Sequence, residues 1–286
     1  MKNDKIRAIF YILMAATLLS TGGLILKYIN VPPLAIASTR GMFSAAVVWL
    51  YVRKPKFTFS KAQVSGAICY SGMVIGFIIA NKLTTAANSI ILQFTAPIWV
   101  AILGLWILKE KIHWYDIIAI LSVGVGMVLF FIDDMEAGNM LGNLIAVLSG
   151  VFLAGVTISL RFQKDESPVE TTLLGHLLTV GIGLPFIFGV SFSLQDVIGI
   201  FILGVFQLGL AYIFYSKAVK YLTALETILI MFLEPILNPL WVFIVVGERP
   251  SSFALVGGMV VLITVLIRSI VANRVYINNK NRSLQG

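Results

Sequence analysis

Apolar residues in this chain arrive in blocks of about twenty, each set off from the next by a turn or charge cluster. A helix of that length rises ~30 Å, the thickness of a bilayer's hydrocarbon core. Ten such blocks can be read, at about 7–26, 34–52, 62–80, 86–107, 115–132, 141–160, 171–190, 197–216, 224–246 and 253–271. Lipid offers backbone groups no partner, so each block must satisfy its own, and runs this long do so as helices. Hydrophobic residues make up 59% of the 286 and charged residues only 12%, against about a quarter charged in soluble globules. The expected fold is an all-α membrane protein of ten transmembrane helices, with the lipid bilayer as its first partner.

Connections between blocks are short, and Pro32-Pro33, Ser167-Pro168 and Pro250-Ser251-Ser252 stand where helices should begin. The first block follows Lys2, Lys5 and Arg7 as a signal peptide would. It has no Ala-x-Ala site and more spans follow, so it is expected to be retained. The net charge of +8 fits basic membrane loops and calls for no nucleic acid. Cys69 is the single cysteine, which leaves no disulfide framework and no metal-ligand spacing. No cofactor or metal is expected.

Lys and Arg set the orientation. With the N-terminus inside, alternate segments hold 17 of the 21 basic residues. Lys27, Lys82 and Arg249 fall outside, and Arg40 lies within a span. That bias predicts both termini in the cytoplasm and an even number of spans.

A second pattern divides the chain. Shifted by 138 residues, 66–110 falls on 204–248 without a gap and with 11 identities in 45 positions, among them Gly66/Gly204, Phe94/Phe232, Pro97/Pro235 and Glu110/Glu248. Upstream, an offset of 136 pairs Arg40 with His176. Five helices per copy is an odd number, so the copies must cross the membrane in opposite senses, an arrangement that encloses a midplane site in secondary transporters. The expected units are residues 1–137 and 138–274, with a polar cytoplasmic tail at 275–286.

These features resemble the EamA-type drug/metabolite transporters. The resemblance rests on two five-helix halves and on a Pro-x12-Glu signature closing the fourth helix of each, here Pro97…Glu110 and Pro235…Glu248. It implies a multi-pass carrier of the bacterial inner membrane that moves amino acids, other metabolites or drugs by alternating access, with or without proton coupling. A small-molecule substrate is implied, and monomer and homodimer both stay open. The first half departs from the second in having Ala96 where the second has Glu234, so any Glu-Pro role belongs to the second half alone.

Polar residues inside spans are the candidate site, because lipid makes each of them costly. Arg40 reads as a counter-charge for a substrate carboxylate or as an arginine snorkelling to the outer interface. His176, its counterpart, reads as a proton-coupling group or a packed structural histidine. Glu226 reads as functional; Glu234 reads as a helix-kink device beside Pro235, with a coupling role as the alternative, and shares a stripe with Asn238 and Trp241. Asn88, Thr95 and Trp99 form a stripe on the fourth span, and Tyr70, Gln207, Tyr212 and Tyr215 add polar groups from the third and eighth. Pro97, Pro235, Glu110 and Glu248 read as structural, with gating as the sharper alternative for the two glutamates.

Other function classes fare worse. A membrane-embedded enzyme needs a motif such as HExxH or GxSxG, and none is present. No charge ring or filter sequence supports a channel or scramblase, though the duplicated halves permit an uncoupled facilitator. A Walker A sequence for ATP-driven transport is missing.

Overall fold

The structure is a computed structural model in which residues 2–26, 28–84, 86–134, 139–246 and 251–283 are described; Glu248 and the side chain of Asn238 lie outside the described set. The described residues are helical or connecting, without a strand among them. Among the described residues, eight helices are long and apolar enough to cross a membrane: Pro33–Val52 (α2), Lys61–Leu83 (α3), Asn88–Leu108 (in α4), Trp114–Phe131 (α5), Met140–Phe162 (α6), Pro168–Phe186 (α7), Leu194–Ala218 (α8) and Ser252–Ala272 (in α10). The first and ninth expected spans are each broken in two, as Lys2–Leu19 with Gly22–Leu26 (α1) and Ala224–Ile230 with Leu233–Val246 (α9). The all-α expectation holds, and eight of the ten expected spans are met by membrane-length helices among the described residues.

Each break has a local cause. In α9, Pro235 removes a backbone donor and its ring crowds the carbonyl of Met231, four residues back; the helix opens at Met231–Phe232. Pro97 does the same in α4, where Ala86–Gln93 gives way to Ala96–Leu103. The freed carbonyl of Gln93 lies so close to Gly150 of α6 that a Cβ there would come within 2.6 Å of it. The prolines are matched by the 138-residue offset, the openings at 94–95 and 231–232 overlap under it at Phe94 and Phe232, and those two rings meet edge to face at 4.9 Å. In α1, the hydroxyls of Thr17, Ser20 and Thr21 bond back to the carbonyls of Leu13, Thr17 and Leu18, competing with the helix ladder just before Gly22.

Several helix starts carry side-chain caps. Ser60, Asn139, Ser193 and Thr223 each accept from a backbone N–H of the first turn, which satisfies donors that would otherwise be orphaned. Large apolar side chains face outward along α5 and α10. On α10 they include Phe253, Leu255, Val256, Met259, Ile263, Leu266, Ile267 and Ile270, each more than half exposed. An apolar surface of that extent suits lipid and no soluble protein. The interior packs as two main clusters, one joining α1, α3 and α8 and the other joining α4, α5, α9 and α10. Lys5 of α1 and Arg268 of α10 both reach Glu226, so the two ends of the chain share one face of the bundle, called here the terminal face.

Candidate functional site

Arg40 is the eighth residue of α2 and is 5% exposed, enclosed by neighbouring helices. Its backbone is held by Ser44, whose hydroxyl donates to the carbonyls of Arg40 (2.8 Å) and of Gly204 on α8 (2.9 Å). Gly204 makes that approach possible, because a Cβ there would lie 2.5 Å from Phe43 Cβ and 2.7 Å from the Arg40 carbonyl oxygen. Around Gly204 the α8 ladder widens into a π-helical stretch, Leu203–Leu210, which turns Gln207 inward. The guanidinium itself has no hydrogen bond or ion pair among the described residues, and its buried Nε has no partner. It does lie within electrostatic reach of Tyr70 and Tyr212.

Those tyrosines and His176 form an aromatic cluster. Tyr70 of α3 meets Tyr212 of α8 edge-on at 4.7 Å and His176 of α7 at 4.7 Å, with its hydroxyl 3.5 Å from His176 Nε2. Gly175 allows this packing, since a Cβ there would come within 2.7 Å of Tyr70. The Tyr212 hydroxyl donates to Met73 Sδ at 3.5 Å, and Tyr215 shares a 2.7 Å hydrogen bond with Thr157 of α6. Gln207 donates through Nε2 to the Leu19 carbonyl (3.3 Å), while its buried Oε1 has no partner. Glu234, on α9 beside the Pro235 break, is half-buried and within electrostatic reach of Tyr212 and Tyr215. Its carboxylate has no hydrogen bond or ion pair among the described residues.

The fold therefore brings Arg40, His176, Gln207, Tyr212 and Glu234 to one interior region together with Tyr70 and Tyr215. Buried polar atoms almost always find partners, yet Arg40 Nε, Gln207 Oε1 and the buried Nε1 of Trp99 do not. Trp241, on the same α9 segment as Glu234, donates from its indole to Ser20 Oγ at 2.8 Å, bridging the broken parts of α1 and α9.

Other expected residues are placed differently. Thr95 donates to the Leu92 carbonyl (2.7 Å) and finishes the turn at the Pro97 break. Asn88 is buried, and its amide contacts Thr84, which in turn donates to Asn143 of α6. Pro97 and Pro235 are buried at the helix openings. Glu110 binds Arg161 (2.9 Å) and accepts the Ala224 N–H at the start of α9 (3.0 Å), so it joins the two halves of the chain structurally.

Glu226 departs most from the sequence reading. It completes a capping box with Thr223 and pairs with Lys5 at 2.8 Å and Arg268 at 3.3 Å. Arg268 also grips Asp116 of α5 through Nε and Nη2, at 2.9 and 2.8 Å. Glu226 belongs to a clasp over four helices at the terminal face, where its charge is already matched, while Glu234, further along the same helix, has no ion pair among the described residues. Sequence reasoning missed Asp116, Arg161 and Arg268. Their signal was present as opposite charges at the ends of separate spans, but pairing between helices 51 and 152 residues apart in sequence is invisible without the fold.

Helical packing, a duplicated proline break and an interior cluster of unpaired polar groups define a multi-pass membrane protein. The family model for the EamA-like transporter family matches residues 6–132 and again 140–270, so the chain belongs to that family. The chain is similar to two uncharacterized transporters of Bacillus subtilis (strain 168). It is 26% identical to YxxF over 61% of this chain and 58% of YxxF, and 26% identical to YyaM over 77% and 76%. It is 25% identical to human solute carrier family 35 member G1 over 54% of this chain and 47% of that protein. A solved crystal structure superposes with a TM-score of 0.80 over 94% of this chain and 98% of its own, at 16% identity, which bears on the fold alone.

Proposed function

We propose that this chain is a secondary transporter of small metabolites. In this reading it has ten spans arranged as two inverted five-helix repeats, residues 1–137 and 138–274, and works by alternating access around the Arg40 cluster. The observation that carries the reading is the buried, unpaired guanidinium of Arg40 in the same interior region as an unpaired carboxylate, Glu234. Ionised groups buried without partners destabilise a fold, and a cargo that supplies the missing charges accounts for both. An anionic group would sit on Arg40, assisted by the Tyr70 and Tyr212 hydroxyls, with Gln207 Oε1 accepting a donor. An ammonium, or a proton exchanged during the cycle, would sit on Glu234. Amino acids and similar zwitterionic metabolites have that chemistry, and the aromatic cluster suits an apolar body between the charged ends.

The contact of Phe94 with Phe232 supports the inverted repeat, because equivalent residues meet only beside an axis that relates the two halves. The distribution of Lys and Arg supports an inner-membrane protein with the terminal face in the cytoplasm. On that orientation the Glu226–Arg268–Asp116 clasp and the Glu110 joint close the cytoplasmic side, and alternating access requires them to open.

Solute uptake into proteoliposomes tests the proposal. A carrier saturates with solute and shows counterflow; an uncoupled facilitator or channel gives neither. Arg40→Ala should lower uptake of carboxylate solutes by about tenfold or more, the loss of one charge-assisted contact. Glu226→Gln should leave solute affinity in place and change the rate of the cycle. Unchanged affinity in Arg40→Ala would remove Arg40 from the site.

A further inference from the structure

A separate pocket of about 490 Å³ opens at the terminal face, between the first part of α1, the end of α2, the start of α7 and the end of α8. It contains charges of both signs that do not pair with each other. Glu170, three residues into α7, is 6% exposed, and its carboxylate has no hydrogen bond or ion pair among the described residues. Lys217 is held between two rings, 5.4 Å from the centroid of Tyr11 and 4.8 Å from that of Tyr51, and its ammonium has no carboxylate partner. Lys220 donates only to the Glu166 carbonyl, at 3.2 Å. The Ser167 side chain, at the α7 N-cap, bonds to no backbone N–H of its helix.

No salt bridge links Glu170 to either lysine, so their charged atoms stand more than 4 Å apart around a pocket of about 490 Å³. Opposite charges that share a pocket without meeting are complementary to a ligand that itself carries both. Tyr51 and Tyr221 at the rim are about half exposed, the disposition of tyrosines at the level of lipid headgroups. We propose that this pocket binds a phosphoethanolamine group, with its ammonium on Glu170 and its phosphate on Lys217, Lys220 and the Ser167 hydroxyl, and that the group is carried by a phospholipid of the adjoining leaflet. The same chemistry is offered by free phosphoethanolamine from the aqueous phase. A ligand here would tie together α1, α2, α7 and α8, three of which also carry Arg40, His176 or Tyr212. The site is independent of the transport reading, since neither Glu170 nor Lys217 belongs to the Arg40 cluster.

The test is native mass spectrometry of the full chain released from nanodiscs containing equal amounts of phosphatidylethanolamine, phosphatidylglycerol and phosphatidylcholine. The wild type should retain phosphatidylethanolamine about tenfold over phosphatidylcholine, whose quaternary amine cannot donate a hydrogen bond to Glu170. Glu170→Gln should erase that preference while keeping lipid adducts, and Lys217→Met should lower all phospholipid adducts together. Free phosphoethanolamine is then added to protein in detergent without phosphatidylethanolamine. Thermal protection there assigns the site to an aqueous ligand of the proposed chemistry, and protection by the lipid alone assigns it to the leaflet. Equal retention of the three lipids by the wild type, with no protection by phosphoethanolamine, overturns the proposal. So does a preference that survives both substitutions. If either variant fails to fold, the wild-type headgroup ratio still decides.

Discussion

Replacing Arg40 by methionine should make the empty protein more stable while disabling it, and the two effects together separate a functional arginine from a structural one. The side chain is 5% exposed, its guanidinium has no hydrogen bond or ion pair among the described residues, and its Nε is buried without a partner. An arginine at the centre of a membrane helix costs ~2.5–3.5 kcal/mol on insertion scales. Methionine keeps most of the aliphatic stem and removes the charge, so most of that cost should be recovered. At ~2–4 °C per kcal/mol for a chain of this size class, Tm should rise by roughly 5–14 °C. The assay is thermal unfolding of purified wild type and Arg40→Met in the same detergent without solute, followed by solute titration of each. The wild type should gain stability on adding a carboxylate-bearing cargo; the variant should start higher and gain nothing. A fall in Tm of similar size in the variant would refute the reasoning, because it would mean that the guanidinium holds the bundle together and is not waiting for a ligand.

The clasp at the terminal face predicts the opposite sign. Arg268→Met leaves Asp116 buried at 2% exposure without its cation and should destabilise by ~3–5 kcal/mol in the same unfolding assay, whereas Lys5→Ala, which removes a partly exposed partner, should cost under ~1 kcal/mol; equal effects would mean that burial does not set the strength of this network. Two glycines give a paired test of packing. A Cβ on Gly257 would collide with the backbone of Phe130 and Gly126, so Gly257→Ala should cost ~1–3 kcal/mol by pushing α10 off α5, while Gly124→Ala meets nothing within 4 Å and should be neutral or slightly stabilising. Thermal shifts of the same sign and size for both would show that the α5–α10 contact is looser than this packing requires.

Much of the architecture was written in the sequence, because a membrane imposes one-dimensional rules. A span must be about twenty apolar residues long, and its backbone must be satisfied within itself, so the helices can be read without knowing what they touch. A kink at Pro235 was legible for the same reason, since proline acts on its own helix, whereas the full opening of α4 and α9 appears only in the fold. The 138-residue repeat fixed their equivalence before any coordinates did. Arg40 and His176 could be singled out because polar residues are rare in such spans and lipid makes them costly.

What the sequence could not reveal is which polar groups find partners, since that depends on helices far apart in the chain. Glu226 and Glu234 are both carboxylates on one helix, and nothing local ranks one above the other. Tertiary packing brings Lys5 and Arg268 to Glu226, so that charge is matched, while Glu234 lies within electrostatic reach of Tyr212 and Tyr215 and has no ion pair among the described residues. The same packing turned Asn88 and Thr95 toward local hydrogen bonds. It also set Lys217 between two tyrosines across a pocket from Glu170. Helices and their breaks follow from interactions within a few residues. Whether a buried charge is paired or waiting for a ligand depends on distances of 3–4 Å between separate helices, and only the folded chain sets those.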